Sequence, residues 1–195
     1  MKIIFGGAWV LMLVACSPAP SDVLAVPKQA PDEAVPLIAS IDASSGSLAG
    51  LRTGMTKDQL FATGHPIIER SIMQEGEEYM VMDVSLPDGL VVECWFDGGR
   101  IERLRTIAEG FEDEKGLGVG STLAALKTAY PDGRLVTGNE DGRHYANFVN
   151  RSKVVFEMDM AALPQACFHD ESSVGCDAPP DLRVHGVVVH SGPSS

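Results

Sequence analysis

One short pattern occurs twice in this 195-residue chain, and an internal repeat limits the fold more strongly than composition does. The second copy begins 66 residues after the first, and five positions are identical: Gly50/Gly116, Leu51/Leu117, Gly54/Gly120, Thr56/Thr122 and Leu60/Leu126. The glycines allow a tight turn, and Thr56 or Ser121 can cap a helix that starts after it. A proline that ends the helix follows each copy, at Pro66 and Pro131. The pattern therefore predicts two units that each begin with a short helix.

The segments after each helix alternate apolar and polar residues, as half-buried strands do. The predicted strands are residues 80–86, 90–96 and 101–107 in the first copy and residues 145–149, 154–160 and 182–189 in the second. A three-stranded sheet needs a cover on its apolar face, which the helix of the same copy can supply. The predicted fold class is α+β. It has two tandem repeats, about residues 47–110 and 111–192, each a short helix followed by a three-stranded antiparallel β-meander.

The first sixteen residues predict the compartment. Lys2 precedes a largely apolar run, residues 3–14, which is too short to span a bilayer but typical of a secretory signal. The run ends in Leu-Val-Ala-Cys at Cys16, which resembles the lipobox of bacterial lipoproteins. The resemblance implies a lipoprotein signal peptide at residues 1–15 and acylation of Cys16, for example by palmitate; the alternative is ordinary signal cleavage. Ser17 after the cysteine implies the outer membrane of a Gram-negative bacterium, with the body facing the periplasm.

A proline-rich stretch separates the signal from the folded body. Residues 16–46 hold five of the chain's twelve prolines, and proline removes a backbone donor and fixes φ. This range is predicted to be the lipidated N-terminus and an extended tether, and residues 47–195 form the two-repeat domain. The tether is either a spacer that lifts the body off the membrane or a plain attachment.

The charge of the chain argues against binding to nucleic acids and against electrostatic binding to an anionic membrane surface. It has 15 Lys and Arg against 27 Asp and Glu, a net charge of −12, and only 6% of its residues are aromatic. Nucleic-acid binding needs a basic patch or a platform of stacking aromatics, so we expect no nucleic-acid partner. Attachment to the membrane is expected to depend on acyl chains and not on electrostatic attraction.

The start of the repeat also carries a family resemblance. Gly54, Met55 and Thr56, with Leu60 four residues later, resemble the first motif of SmpA/OmlA-type lipoproteins, which belong to the outer-membrane β-barrel assembly machinery. The tandem arrangement resembles the β-lactamase-inhibitory-protein type of repeat fold. Residues 99–126 resemble an uncharacterised group of bacterial lipoproteins that are regulated by envelope stress. These relatives are binding or structural proteins, so the resemblance implies no catalytic residue.

The four cysteines separate by context. In an oxidising periplasm, Cys167 and Cys176 are predicted to form a disulfide across the insertion at residues 161–180. The enclosed loop carries His169, Asp170 and Glu171, and it is either a simple staple or a preorganised recognition loop. Cys94 shares an apolar strand face with its neighbours and is predicted to be a buried free thiol.

No pattern in the sequence indicates catalysis. No histidine pair has metal-ligand spacing and no nucleophile motif occurs, so we expect no enzyme activity, cofactor or metal. The predicted function is protein–protein interaction or structural support in the cell envelope, through an open sheet face and the stapled loop. The candidate binding residues are Tyr79, Trp95, Tyr145, His169, Asp170 and Glu171. The alternative is a protein inhibitor of a soluble enzyme such as a hydrolase, which predicts that the three aromatic residues cluster on a concave sheet.

Overall fold

The computed structural model describes residues 39–74, 76–140, 142–168, 173–174 and 176–192. Within these ranges the chain forms thirteen strands, two short α-helices and two 3-10 turns. In chain order the elements are β1 (Ala39–Asp42), β2 (Ser47–Leu48), β3 (Leu51–Arg52), α1 (Lys57–Phe61), β4 (Ile67–Gln74), β5 (Glu77–Ser85), β6 (Val91–Asp97), β7 (Arg100–Thr106), β8 (Phe111–Glu112), α2 (Leu123–Ala129), β9 (Arg134–Glu140), β10 (Arg143–Val149), β11 (Val154–Met158), the turns Met160–Ala162 and Gln165–Phe168, β12 (Ser173–Val174) and β13 (Val184–His190).

Nine of these strands form one large antiparallel sheet. Its strand order is β12-β9-β10-β11-β13-β7-β6-β5-β4, so that β7 and β13 meet in the middle. Four consecutive strands, β4 to β7, follow α1, and four other strands, β9, β10, β11 and β13, follow α2. The sheet order on either side of the centre is therefore a mirror image, apart from the two-residue strand β12.

The predicted fold class is wrong. The chain is β-rich, and its strands do not form two separate three-stranded meanders under two helices; they join into one sheet, next to a second, small sheet. Of the eight long strands of the large sheet, β4 and β9 were not predicted, and neither were the short strands β1, β2, β3, β8 and β12. The side chains of β4 alternate only weakly between exposed and half-buried positions, so its sequence lacks the clear two-residue period of a strand with one buried face. Gly138 and Asn139 likewise interrupt the apolar pattern of β9.

The small sheet has the order β3-β2-β1-β8, and β1 pairs with β8 in parallel. Strand β1 of this sheet, Ala39–Asp42, lies inside residues 16–46, the range assigned to the tether. Ile41 is 2% exposed and Ala43 is 8% exposed, so these side chains belong to the core. Residues 39–46 are thus part of the folded body, because Ile41 and Ala43 join the core cluster that the inward side chains of the large sheet also form.

The two helices begin with the same geometry. The Thr56 side chain accepts a hydrogen bond from the Gln59 N–H, and the Thr56 N–H donates to the Gln59 side-chain oxygen, which is a complete capping box. Thr122 caps α2 in the equivalent way, by accepting from the Ala125 N–H. Thr56 was predicted as a cap, but at the second helix the cap is Thr122 and not Ser121.

An arginine completes each helix start. The Gly54 N–H donates to the Ile101 carbonyl, and the Arg100 guanidinium donates to the Gly54 carbonyl at 2.8 Å. In the second half the Arg183 guanidinium donates to the Gly120 carbonyl at 2.9 Å. Gly54 and Gly120 both have positive φ, 84° and 88°, which explains why glycine occupies both positions.

The core lies on one face of the large sheet. The buried side chains of both helices, of the small sheet and of the second 3-10 turn all belong to a single cluster with the inward residues of the large sheet. Leu60 and Leu126 are both 0% exposed within it. Gly118 allows the closest approach, since a Cβ there would overlap the backbone of Phe111. The run of glycines at 116, 118 and 120 therefore serves packing and turns. None of the helices in the described ranges is long and apolar enough to cross a membrane.

Candidate binding face

The face of the large sheet opposite the core carries the candidate site. We call it the outer face and define it by the side chains that alternate with the core residues along each strand. Val81, Trp95, Val155 and Val188 are at most 8% exposed, yet they lie outside the core cluster. The helices and the small sheet all bury their side chains in that core cluster, so they cover the other face. In the described part of the chain, the outer face is thus covered only by its own side chains.

A row of alternating charges crosses the outer face. Arg70 on β4 donates two hydrogen bonds to Asp83 on β5, at 2.8 and 3.1 Å, and a third to Glu93 on β6 at 3.0 Å. Arg105 on β7 donates to Glu93 at 3.3 Å and to Glu157 on β11 at 2.9 Å. We call these five residues the charge ladder. Their side chains are between 22% and 35% exposed, so water screens their attraction only in part.

A glycine makes the last step of the charge ladder possible. Glu157 and Arg105 lie on strands that are separated by β13, so the Glu157 side chain must cross that strand. Glu157 pairs with Gly186 on β13, and a Cβ at position 186 would overlap the Glu157 carboxylate. The missing side chain of Gly186 therefore leaves the path by which Glu157 reaches Arg105.

An aromatic cluster lies beside the charge ladder. The rings of Tyr79 and Trp95 are 6.1 Å apart, and the Arg103 guanidinium lies 3.8 Å above the Trp95 ring. The Trp95 indole N–H donates to Glu93 at 3.3 Å, which links the cluster to the ladder. We call Tyr79, Trp95 and Arg103 the aromatic cluster. A stacked guanidinium over a largely buried tryptophan is held in a fixed geometry.

Arg103 differs from the two arginines of the ladder. It donates to the Gln74 side chain at 3.3 Å, but within the described residues no carboxylate lies within salt-bridge distance of it, and its Nε is buried without an acceptor. His190 is its cross-strand neighbour on β13. Burial, and then the charge of Arg103, lower the pKa of His190. The cluster therefore contains one arginine with capacity to bind a further anion.

The aromatic residues predicted from the sequence lie on this face but do not form one cluster. Tyr79 and Trp95 are in contact, whereas Tyr145 lies on β10, four strands from β6, a separation of about 19 Å. The Tyr145 ring covers Gly138, where a Cβ would overlap the ring. His169, Asp170 and Glu171 lie outside the described residues, as does Cys16. Sequence reasoning missed the charge ladder and Arg103, although Arg103 and Arg105 alternate with Leu104 in the way an outward strand face requires.

The cysteines bear on catalysis and on loop stability. Cys167 and Cys176 form the predicted disulfide, with 5.2 Å between their Cα atoms. Cys94 is free and 0% exposed. Burial, and then the charge of Asp83, raise the pKa of its thiol to about 12, so it is protonated at neutral pH and is a poor nucleophile. Across the described ranges, no group of three or more His, Cys, Asp or Glu is arranged to hold a metal ion.

Comparison with known proteins supports the fold alone. No family model matches the chain, and no curated protein matches it. The crystal structure of the uncharacterized protein YfeY from Escherichia coli is similar, with a TM-score of 0.52 and 13% sequence identity. The match covers 78% of this chain and 98% of the YfeY chain. At this identity the likeness extends to the arrangement of strands and helices and to nothing finer.

Proposed function

We propose that this chain is a lipid-anchored protein of the outer membrane that faces the periplasm and binds another envelope protein through its outer face, without catalysis. The observation that carries the proposal is the aromatic cluster: Tyr79, Trp95 and Arg103 packed together on a sheet face that the described helices leave uncovered. Tryptophan, tyrosine and arginine are the residues that contribute most often to the energetic centre of protein interfaces.

The surroundings of the cluster favour binding because they are already ordered. Each arginine of the charge ladder is held by two carboxylates, so little side-chain entropy remains to be lost when a partner docks. Arg103 has no such carboxylate among the described residues. We therefore expect the partner to present a carboxylate to Arg103, next to an apolar group that packs on Tyr79 and Trp95.

Anchoring rests on the N-terminal sequence. The apolar run that ends at Cys16 supports acylation of that cysteine, and a protein held at a membrane surface meets envelope partners at a raised local concentration. Cys16→Ser is expected to abolish labelling by a fatty-acid analogue and to release the protein from the membrane fraction. Continued labelling of the Cys16→Ser protein contradicts the anchoring.

The binding proposal is tested by cross-linking in intact cells. A photoreactive phenylalanine analogue at position 79 is expected to give one adduct of defined mass. The same group at Thr128, an exposed position on α2, is expected to give none. Arg103→Gln should reduce the adduct at position 79 at least tenfold, because it removes the charge that meets the partner's carboxylate. Arg52→Gln, an exposed arginine on the small sheet, is the matched control and should leave the adduct unchanged.

Three results of the cross-linking experiment would contradict the binding proposal. An adduct of equal yield at Thr128, no adduct at position 79, or equal loss with Arg52→Gln and Arg103→Gln would each contradict docking on the aromatic cluster. Thermal unfolding of each variant separates a binding defect from a folding defect, since the Arg103 side chain packs on Trp95.

A second candidate function is inhibition of a soluble hydrolase. The contact between Tyr79 and Trp95 favours it, because a pair of aromatic groups on a sheet face can serve as an anchor for a bound enzyme. The distance to Tyr145 counts against it, since the three aromatic residues do not share one concave patch. The test is a titration of periplasmic hydrolases with the purified protein. Stoichiometric inhibition that Arg103→Gln weakens would favour this function over the first.

A further inference from the structure

A second surface of the large sheet is its edge strand β4, which has no further strand beside it among the described residues. β4 is the last strand of the sheet and pairs with β5 without a bulge along all eight residues. The Ser85 N–H donates to the Pro66 carbonyl, so residue 66 and every second residue after it bond to β5. The N–H and C=O groups of Ile67, Glu69, Ser71 and Met73 therefore point away from the sheet. Long, regular edges of this kind are usually blocked, since they can pair with another strand.

The side chains of β4 are arranged symmetrically about its centre. Ile67 and Ile68 precede Arg70 by three and two residues, and Ile72 and Met73 follow it by two and three. Ile68 is 66% exposed and Met73 is 62% exposed. They are the most exposed of the large hydrophobic side chains in the described part of the chain. An apolar pattern that reads the same in both directions is what an antiparallel pair of identical strands requires.

We infer that two copies of this chain associate by antiparallel pairing of β4 with β4 of the second copy, centred on Arg70, so that the two sheets continue into each other. In this register Ile68 faces Ile72 of the other copy on the outer face, and Ile67 faces Met73 on the core side. Both strongly exposed side chains thereby gain an apolar neighbour. The inference concerns a different surface from the aromatic cluster and does not depend on the proposed partner.

Neighbouring registers fit worse. A residue of one β4 and the residue opposite it in the second copy must both lie on the outer face or both on the core side. The two-fold axis between the copies therefore passes through a residue of β4, and a change of register moves this axis by whole residues. Centring the pair on Glu69 places Ile68 opposite Arg70, and centring it on Ser71 places Arg70 opposite Ile72. Each shift therefore replaces an apolar contact by a charged one, and only the Arg70 register matches all four apolar residues.

Charge does not oppose this contact. β4 carries one Glu and one Arg, so it is neutral in a chain of net charge −12. The two Arg70 side chains meet at the centre, but each is bound by Asp83 and Glu93 and so turns toward its own sheet. Glu69 faces the Ser71 hydroxyl of the other copy, which can donate to it. The seven paired residues span only about 23 Å. The interface is smaller than that of a permanent dimer, and we expect association that depends on concentration.

Disulfide trapping tests the register in cells. In the Arg70-centred pair, residues 68 and 72 of different copies form a non-hydrogen-bonded pair with about 4.5 Å between Cα atoms, which suits a disulfide. Within one chain they are about 13 Å apart along the strand and cannot be bridged. Ile68→Cys/Ile72→Cys in the full chain is expected to give a covalent dimer on non-reducing gels. The matched single variants, Ile68→Cys and Ile72→Cys, are expected to give none.

Sedimentation of the purified protein is the second test, because it measures how strongly the natural protein and its variants dimerise. Ser71→Pro removes an outward N–H without breaking the β4–β5 ladder, and symmetry removes it twice per dimer. We expect dimerisation at least about tenfold weaker than in the natural protein, whereas Ser71→Ala, which keeps the N–H, should behave as the natural protein does. Thermal unfolding of Ser71→Pro checks that β4 is still formed. A natural protein that stays monomeric at its highest soluble concentration, or absence of the trapped dimer, overturns the inference.

Discussion

Gly186→Ala is the sharpest perturbation of the charge ladder, because it changes the ladder without touching a charged residue. A Cβ at position 186 would overlap the Glu157 carboxylate, while the nearest backbone atom, the Thr106 carbonyl oxygen, would be 3.4 Å away. Gly186 does not have a positive φ, so alanine fits the backbone. The substitution should therefore act by one route, which is displacement of Glu157 from Arg105.

The magnitude follows from the burial of the ion pair. The side chains of Arg105 and Glu157 are 24% and 29% exposed, and the Nε–Oε2 distance is 2.9 Å. A charge-assisted hydrogen bond in this partly screened setting contributes about 1.5 kcal/mol. Replacing glycine by alanine in a strand returns about 0.5 kcal/mol through the smaller entropy of the unfolded chain. We expect Gly186→Ala to lower the free energy of unfolding by about 1 kcal/mol.

A double-mutant cycle with Glu157→Ala tests this reasoning through the sign of the change in the free energy of unfolding that Gly186→Ala causes. In a Glu157→Ala background the ion pair is already absent, so only the entropic gain remains and Gly186→Ala should raise stability by about 0.5 kcal/mol. Urea unfolding followed by circular dichroism gives all four free energies under one set of conditions. If Gly186→Ala destabilises both backgrounds equally, Gly186 is needed for packing and not for the passage of Glu157, and the reasoning fails.

Three further predictions concern single residues: Gly118, Cys94 and His190. Gly118→Ala should destabilise the fold by about 3 kcal/mol or more, measured by urea unfolding, since its Cβ would meet the backbone of Phe111, which cannot yield as a flexible side chain can. The Cys94 thiol, with its pKa raised to about 12, should resist iodoacetamide at pH 8 and react only after denaturation; fast native labelling would contradict its burial. The pKa of His190 is lowered from its ordinary value of 6.5 by burial and Arg103, against the opposing charges of Glu102 and Glu157. Below about pH 6.5, His190 is protonated in the unfolded chain but still neutral in the folded chain. The free energy of unfolding should therefore fall as the pH falls. The stability difference between the natural protein and His190→Gln should therefore shrink from pH 7.5 to 5.5, and a constant difference would exclude this effect.

Local features of this fold could be predicted from the sequence, because neighbouring residues determine them. Thr56 caps α1 as expected, and Leu60 and Leu126 are buried at equivalent places. The disulfide between Cys167 and Cys176 was predicted from compartment and spacing, and it is present. The cap and the disulfide depend on contacts within about ten residues of chain, and the two leucines belong to the apolar stripe of their helices, so pattern and propensity act directly.

The arrangement of the sheet could not be predicted in the same way. The central pairing of β7 with β13 joins residues about eighty positions apart, and no local pattern encodes it. β4 was missed because its position at the sheet edge leaves both its faces partly in water, which removes the alternation that identifies a strand. A helix followed by three strands was therefore inferred where the chain has a helix followed by four.

The same limit explains why the candidate site was only partly found. The charge ladder takes its members from five strands, and any one of them alone is an ordinary outward-facing charge. Aromatic residues are few in this chain, so Tyr79 and Trp95 could be singled out by type. Arg103 could not, since its significance depends on having no carboxylate partner among the described residues, whereas Arg70 and Arg105 each have two.

As far as the structure describes the chain, the outer face is covered by its own charged side chains and not by another layer of the fold. Val81 is fully buried, and its cross-strand neighbours are Arg70 and Trp95. Val188 is paired with Arg105 in the same way. Long arginine stems can cover apolar surface while their charged ends stay hydrated, so removing Arg70 or Arg105 would expose valines as well as break ion pairs. Loss of binding in those variants would mix two causes. Arg103→Gln retains most of the stem and breaks no ion pair within the described ranges, and it therefore reports on the charge offered to a partner more cleanly than any ladder variant.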